Sequence, residues 1–201
     1  MSITFCVVLG CSAGIVGDHK RTDATAPVNL PAGPVAIIIS DSATETAQEI
    51  ITYNRYYNTG SSANLYSNFL REAYLDASAP KSGVAAITEL LEARLGKVHQ
   101  FKSFEEASRN GFKLIVKLDM QSQLVSTRFS QPSAYVSLKF YSADDQYLGT
   151  LESDSRRTAT PMWTGHIREK EILSNIPKHS EVQVQALELL RQKLDLVPVK
   201  N

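Results

Sequence analysis

Apolar and polar residues along this chain follow two periods, and the switches between them set the expected order of elements. Pro34-Val35-Ala36-Ile37-Ile38-Ile39-Ser40 is a short unbroken β-branched run, which predicts a strand buried on both faces near the centre of a sheet. Ser42 followed by Glu45 has the form of a capping box, so a helix is expected to start near Ala43 and to carry Ile50 and Ile51. Asn58-Thr59-Gly60-Ser61-Ser62 reads as a loop. A second helix over Asn64 to Ala77 would place Leu65, Phe69, Leu70 and Ala73 on one side. Val84, Ile87, Leu91 and Leu95, with Leu90, then predict an amphipathic helix closed by Gly96, followed by a short strand from Val98 to Phe101.

Ser103 and Glu106 repeat the capping-box form, opening a short helix that Asn110-Gly111 would stop. The pattern then changes to a period near two. Phe112 to Gln121 alternates with Leu114, Val116, Leu118 and Met120 on one face, and Ala134 to Tyr141 alternates likewise. After the turn Ala143-Asp144-Asp145-Gln146, the segment Tyr147 to Glu152 returns, so the three strands form an antiparallel meander. Ser126 to Pro132 is its polar connecting loop. Ser180-Glu181-Val182-Gln183 opens a last helix with Val184, Leu187, Leu189, Leu190 and Leu194 as its apolar face. This order predicts an α+β domain over residues 35–201: a mixed, largely antiparallel sheet with helices packed on its faces.

The amino terminus obeys neither period. A brief apolar run ends in Val8-Leu9-Gly10-Cys11, and Ser12 to Pro34 is rich in Gly, Pro and charge with no repeating apolar pattern. Such composition buries too little apolar surface to offset the entropy of ordering, so residues 11–34 are expected to form a flexible tether. Val8-Leu9-Gly10-Cys11 resembles a bacterial lipobox, which implies that residues 1–10 are a signal peptide and that Cys11 carries a diacylglycerol and a fatty acyl chain such as palmitate. Ser12, which is not Asp, implies by the same resemblance sorting to the periplasmic face of the outer membrane. Several acyl chains on one Cys anchor firmly where one chain binds marginally. The alternative reading of Ile3 to Leu9 is a first buried strand, with Cys6 and Cys11 as small core hydrophobes.

Composition narrows the function. The chain has 201 residues, with 21 basic and 21 acidic side chains, so no global field draws it to nucleic acid. Beyond Cys11 no apolar run approaches the roughly 18 residues that a bilayer crossing needs. His19, His99, His166 and His179 lack Cys or carboxylate at ligand spacing, and no metal or cofactor is expected. Ser78-Ala79-Pro80-Lys81-Ser82-Gly83 contains both S-x-x-K and K-S-G, but both would use Lys81, and Pro80 opposes a helix starting at Ser78. No catalytic residue is assigned.

Two groups remain as binding candidates. Tyr53, Tyr56 and Tyr57 offer rigid apolar bodies with polar tips, suited either to an interface or to packing against the sheet. Arg156 and Arg157 share a segment with Trp163 and His166, suited to a contact hot spot or an anionic ligand; alternatively Trp163 plugs the sheet edge and the arginines are solvated. Element order from Val35 to Val197, joined to the lipobox, resembles envelope lipoproteins related to the TolB amino-terminal domain. These include penicillin-binding-protein activators and the lipoproteins of curli and exopolysaccharide export. The resemblance implies a lipid-anchored accessory protein without catalysis, which binds or scaffolds an envelope component or self-associates. A small-molecule or lipid-binding lipoprotein of a transport system and a hydrolase with an unrecognised site are the other readings.

Overall fold

The computed structural model describes residues 27, 29–59, 67–78, 83–124, 131–158 and 173–200. Val8 to Cys11 and most of the expected tether lie outside them. The central sheet contains β2 (Val35–Ile39), β3 (Val98–Phe101), β4 (Leu114–Gln123), β5 (Ser133–Ser142) and β6 (Tyr147–Arg156), in the order β3-β2-β4-β5-β6. β2 runs parallel to both β3 and β4, whereas β4, β5 and β6 form the antiparallel meander. The α+β expectation therefore holds, with β2 buried between two neighbours as its β-branched run requires.

The described helices are α1 (Asp41–Thr59), α2 (Asn68–Ser78), α3 (Val84–Leu95), α4 (Phe104–Arg109) and α5 (Lys178–Asp195). Strand alternation sends Leu114, Val116, Leu118 and Met120 of β4 to one face, with Val136, Leu138 and Phe140 of β5 and Leu151 of β6. On that face α1 lies against β4 and α5 against β5 and β6, while α3 contributes Ile87, Leu91 and Leu95. The opposite face is covered by α4 on the β3–β4 side, where Ala107 meets Ala36 and Ile115 beneath Phe101, Phe104, Phe112 and Tyr141. Toward β6 that face carries Lys117, Asp119, Tyr135, Lys139, Glu152 and Asp154.

Several local expectations change. Ser40, not Ser42, caps α1: its hydroxyl accepts from Ala43 N–H at 3.1 Å, and the Ser42 hydroxyl donates to Asp119 instead. Ser103 caps α4 as expected, accepting from Glu106 N–H at 3.2 Å. α5 begins two residues before Ser180, whose hydroxyl turns back to Pro177 O at 3.0 Å. Its buried face is His179, Val182, Gln183, Ala186, Leu190 and Leu194, so the stripe is rotated from the expected one and Val184 is 49% exposed. In α2, Leu70 and Ala77 are buried but Phe69 is 65% exposed.

The end of the segment expected as tether is ordered. Leu30 is fully buried, and β1 (Leu30–Pro31) pairs parallel with β7 (Val199–Lys200) in a separate two-stranded sheet. Gly33 N–H donates to Leu95 O at 3.4 Å, which brings Gly33 O to 2.9 Å from where a Cβ on Gly96 would lie. Gly96 also has φ +128°, so both its backbone and its neighbour demand glycine.

Candidate functional site

The last helix is touched on opposite sides by one residue of each predicted group. At its first turn His179 is 1% exposed and meets Tyr53 edge-on, with ring centroids 5.8 Å apart. Burial there pushes the imidazole down to about 4, so it is neutral at physiological pH. Tyr53 packs beside Leu70, Ala77 and Ile176, the packing alternative for this residue. Tyr56, by contrast, is 53% exposed on α1. The side chain of Tyr57, and Trp163 and His166 entirely, lie outside the described residues.

The adjacent arginines separate because strand alternation turns them apart. Arg156 sits on the sheet face opposite α5 and pairs with Asp154 at 3.3 Å. Arg157 pairs with Glu181 on α5 at 3.9 Å, while its backbone N–H donates to Pro132 O at 3.0 Å. Lys178 adds a second tie, donating to Thr158 O at 3.0 Å and to Asn175 Oδ1 at 2.9 Å. The end of β6 is thus fastened to the start of α5.

From this junction an open groove of about 550 Å³ follows the outer side of α5, lined by Arg157, Glu181, Val184, Gln185, Glu188 and Leu189 among others. Ser155 Oγ donates to Gln185 Oε1 at 2.9 Å, which holds the groove wall against β6. Arg191 grips Glu188 through bonds of 2.9 and 2.7 Å and, with Gln192, holds that carboxyl down at about 2. The lining therefore combines exposed apolar surface at Val184 with two carboxylates that are each paired with an arginine. Such a surface suits contact with a polypeptide better than enclosure of a lipid.

On the sheet face opposite α5, burial pushes the Tyr135 phenol up to about 12, with Glu152 adding to the shift as its hydrogen-bond acceptor. Among the described residues no group of three His, Cys, Asp or Glu side chains is placed to hold a metal, and no helix is long and apolar enough to cross a membrane. Of the expected candidates, Tyr53 meets His179 on the buried side of the first turn of α5 and Arg157 meets Glu181 on its exposed side, so the helix lies between them. Val184, Gln185, Glu188 and Leu189 were missed as site residues, because the apolar count placed Val184 and Leu189 in the core. The polar row Glu181, Gln185, Glu188 and Gln192 at helical spacing was the available signal.

No protein-family model matches the chain, and no curated protein matches its sequence. Among solved structures it is similar to the PelC dodecamer from Paraburkholderia phytofirmans, with 11% identity over 81% of this chain and 95% of that one and a TM-score of 0.36. A variant of the same dodecamer gives 10% identity over 81% and 96%, with a TM-score of 0.35. The hypothetical protein CT253 from Chlamydia trachomatis gives 11% identity over 81% and 98%, with a TM-score of 0.29.

Proposed function

We propose that this chain is an accessory protein of the cell envelope, held by lipid on Cys11 at the periplasmic face of the outer membrane, which binds another envelope protein and performs no catalysis itself. The observation that carries the binding role is the α5 groove, where Val184 is 49% exposed between the Arg157–Glu181 and Arg191–Glu188 pairs. Apolar surface rimmed by paired charge is the composition of a transient protein contact. The anchor is supported by the Gly10-Cys11 ending of the amino-terminal apolar run.

Two measurements test the parts separately. Labelled palmitate supplied to cells should mark the wild-type chain and not Cys11→Ser; equal label in both removes the anchor. A photo-crosslinking side chain at position 184 of the intact protein, irradiated in its own membranes, should give one discrete envelope-protein adduct, whereas the same group at exposed Leu196 should not. Identical adduct patterns at 184 and 196 would remove the groove as the binding surface.

A further inference from the structure

Among the described residues β6 is an edge strand of the central sheet, and the direction of its backbone groups follows from one hydrogen bond. Arg157 N–H donates to Pro132 O at 3.0 Å, so residue 157 faces β5. Successive residues of an antiparallel pair alternate between exchanging ladder bonds and facing away. In the observed register Ser155 opposite Ala134, Ser153 opposite Val136 and Leu151 opposite Leu138 make the ladder. Thr150, Glu152, Asp154 and Arg156 consequently aim their N–H and C=O groups outward. Lys193 gives an independent check: from α5 its ammonium donates to Glu152 O at 2.5 Å, reaching a carbonyl that faces away from β5.

The outward row covers six residue steps, roughly 20 Å of strand. The α5 groove runs beside it, since Gln185, which lines the groove, is bonded to Ser155, and Arg157 continues the strand. We propose that β6 accepts an extended segment of another protein as a sixth strand, paired to Thr150, Glu152, Asp154 and Arg156. This rests on reading the groove as a protein-binding surface and names the form of partner it takes.

The occupant's chemistry follows from what it would face. Its side chains on the α5 side enter beside Gln185 and Leu189, the groove residues on the side of α5 that is bonded to β6, so small apolar residues fit there. Its alternate side chains stand beside Glu152, which accepts from Tyr135 and has no ion pair among the described residues, and beside Asp154, which is paired with Arg156, so lysine or threonine fits next to Glu152. Lys193 swings off the Glu152 carbonyl as the incoming N–H replaces it. Main-chain bonds supply affinity and the alternating pockets supply selectivity.

The test uses the full chain and a synthetic seven-residue peptide alternating valine with threonine and lysine, together with the same peptide N-methylated on the amides that would face β6. Amide hydrogen exchange at Glu152 and Asp154 should be fast in the chain alone and slow with the peptide, and N-methylation should weaken binding by about tenfold or more because the main chain carries the affinity. Asp154→Pro removes one outward donor without breaking the ladder, so it should keep the melting transition and lose the peptide. Unchanged exchange at millimolar peptide overturns the proposal. Slow exchange in the isolated chain at every concentration overturns it in favour of an edge filled by the chain's own residues, and slow exchange that appears only as the chain is concentrated overturns it in favour of a second copy. A crosslink from position 184 to an envelope protein without protection at Glu152 would retain the binding role and remove strand addition.

Discussion

The two edges of the central sheet are finished differently. β3 is four residues long, Glu92 accepts its first N–H at 3.2 Å, and Phe112 packs on Phe101 and His99 at centroid distances of 5.0 and 5.3 Å. β6 is ten residues long, and among the described residues the side chain bonded to its outward backbone is Lys193. Exposed strand edges invite pairing, and proteins protect them by shortness, cover or charge. Among the described residues one edge has shortness and cover, while the other has the Lys193 ammonium on one carbonyl. Among the described residues β6 is therefore the longer and less covered of the two edges.

The sharpest way to break this contrast is Ser153→Pro, which deletes a ladder donor opposite Val136 and should cost about 3 kcal/mol in urea unfolding. If Ser153→Pro is as stable as Asp154→Pro, the assigned alternation is wrong. Acid tests the helix that leans over β6. His179 titrates at about 4 in the folded chain against 6.5 when free, so between these values the unfolded chain binds more protons. Stability is complete above pH 6.5 and is lost as pH falls toward 4, by roughly 3 kcal/mol from this residue. His179→Leu should flatten that slope; an unchanged slope would place the acid sensitivity elsewhere.

On the protected side, Gly96→Ala meets both φ +128° and Gly33 O, and should lower stability by about 2 kcal/mol by calorimetry. Glu92→Ala removes the acceptor for Val98 N–H and should cost about 1 kcal/mol, with faster exchange at that amide. The smallest effect is expected from Asp154→Pro, within about 0.5 kcal/mol of wild type in the same urea unfolding.

Local pattern made some of this legible and long-range pairing hid the rest. Val84 to Leu95 was readable to the residue because its apolar spacing and Gly96 lie within a few turns of one another. The parallel placement of β2 between β3 and β4 was not, since it joins Ile37 to both Gln100 and Val116 across intervening helices. β6 was expected to stop at Glu152. It runs to Arg156 because β5 supplies partners for Ser153 to Ser155, a gain that polar side chains do not advertise. The rotated face of α5 has a similar cause. His179 and Gln183 are buried through their position over the sheet, leaving Val184 outside, so the groove was hidden behind a residue counted as core. Arg157 was found for its charge, and Tyr53 for its ring, but not that they flank the first turn of α5 from its exposed and buried sides.

The small pairing of β1 with β7 sets how the domain bears load. Leu30 N–H bonds to Pro198 O at 2.9 Å and Ala32 N–H to Lys200 O at 2.8 Å, so the chain enters and leaves through adjacent parallel strands. Tension applied before Leu30 and after Lys200 acts along these strands in opposite directions, loading their bonds together in shear. Until that clamp slips, the force passes directly between the two ends, and the central sheet with its β6 edge stays outside the load path.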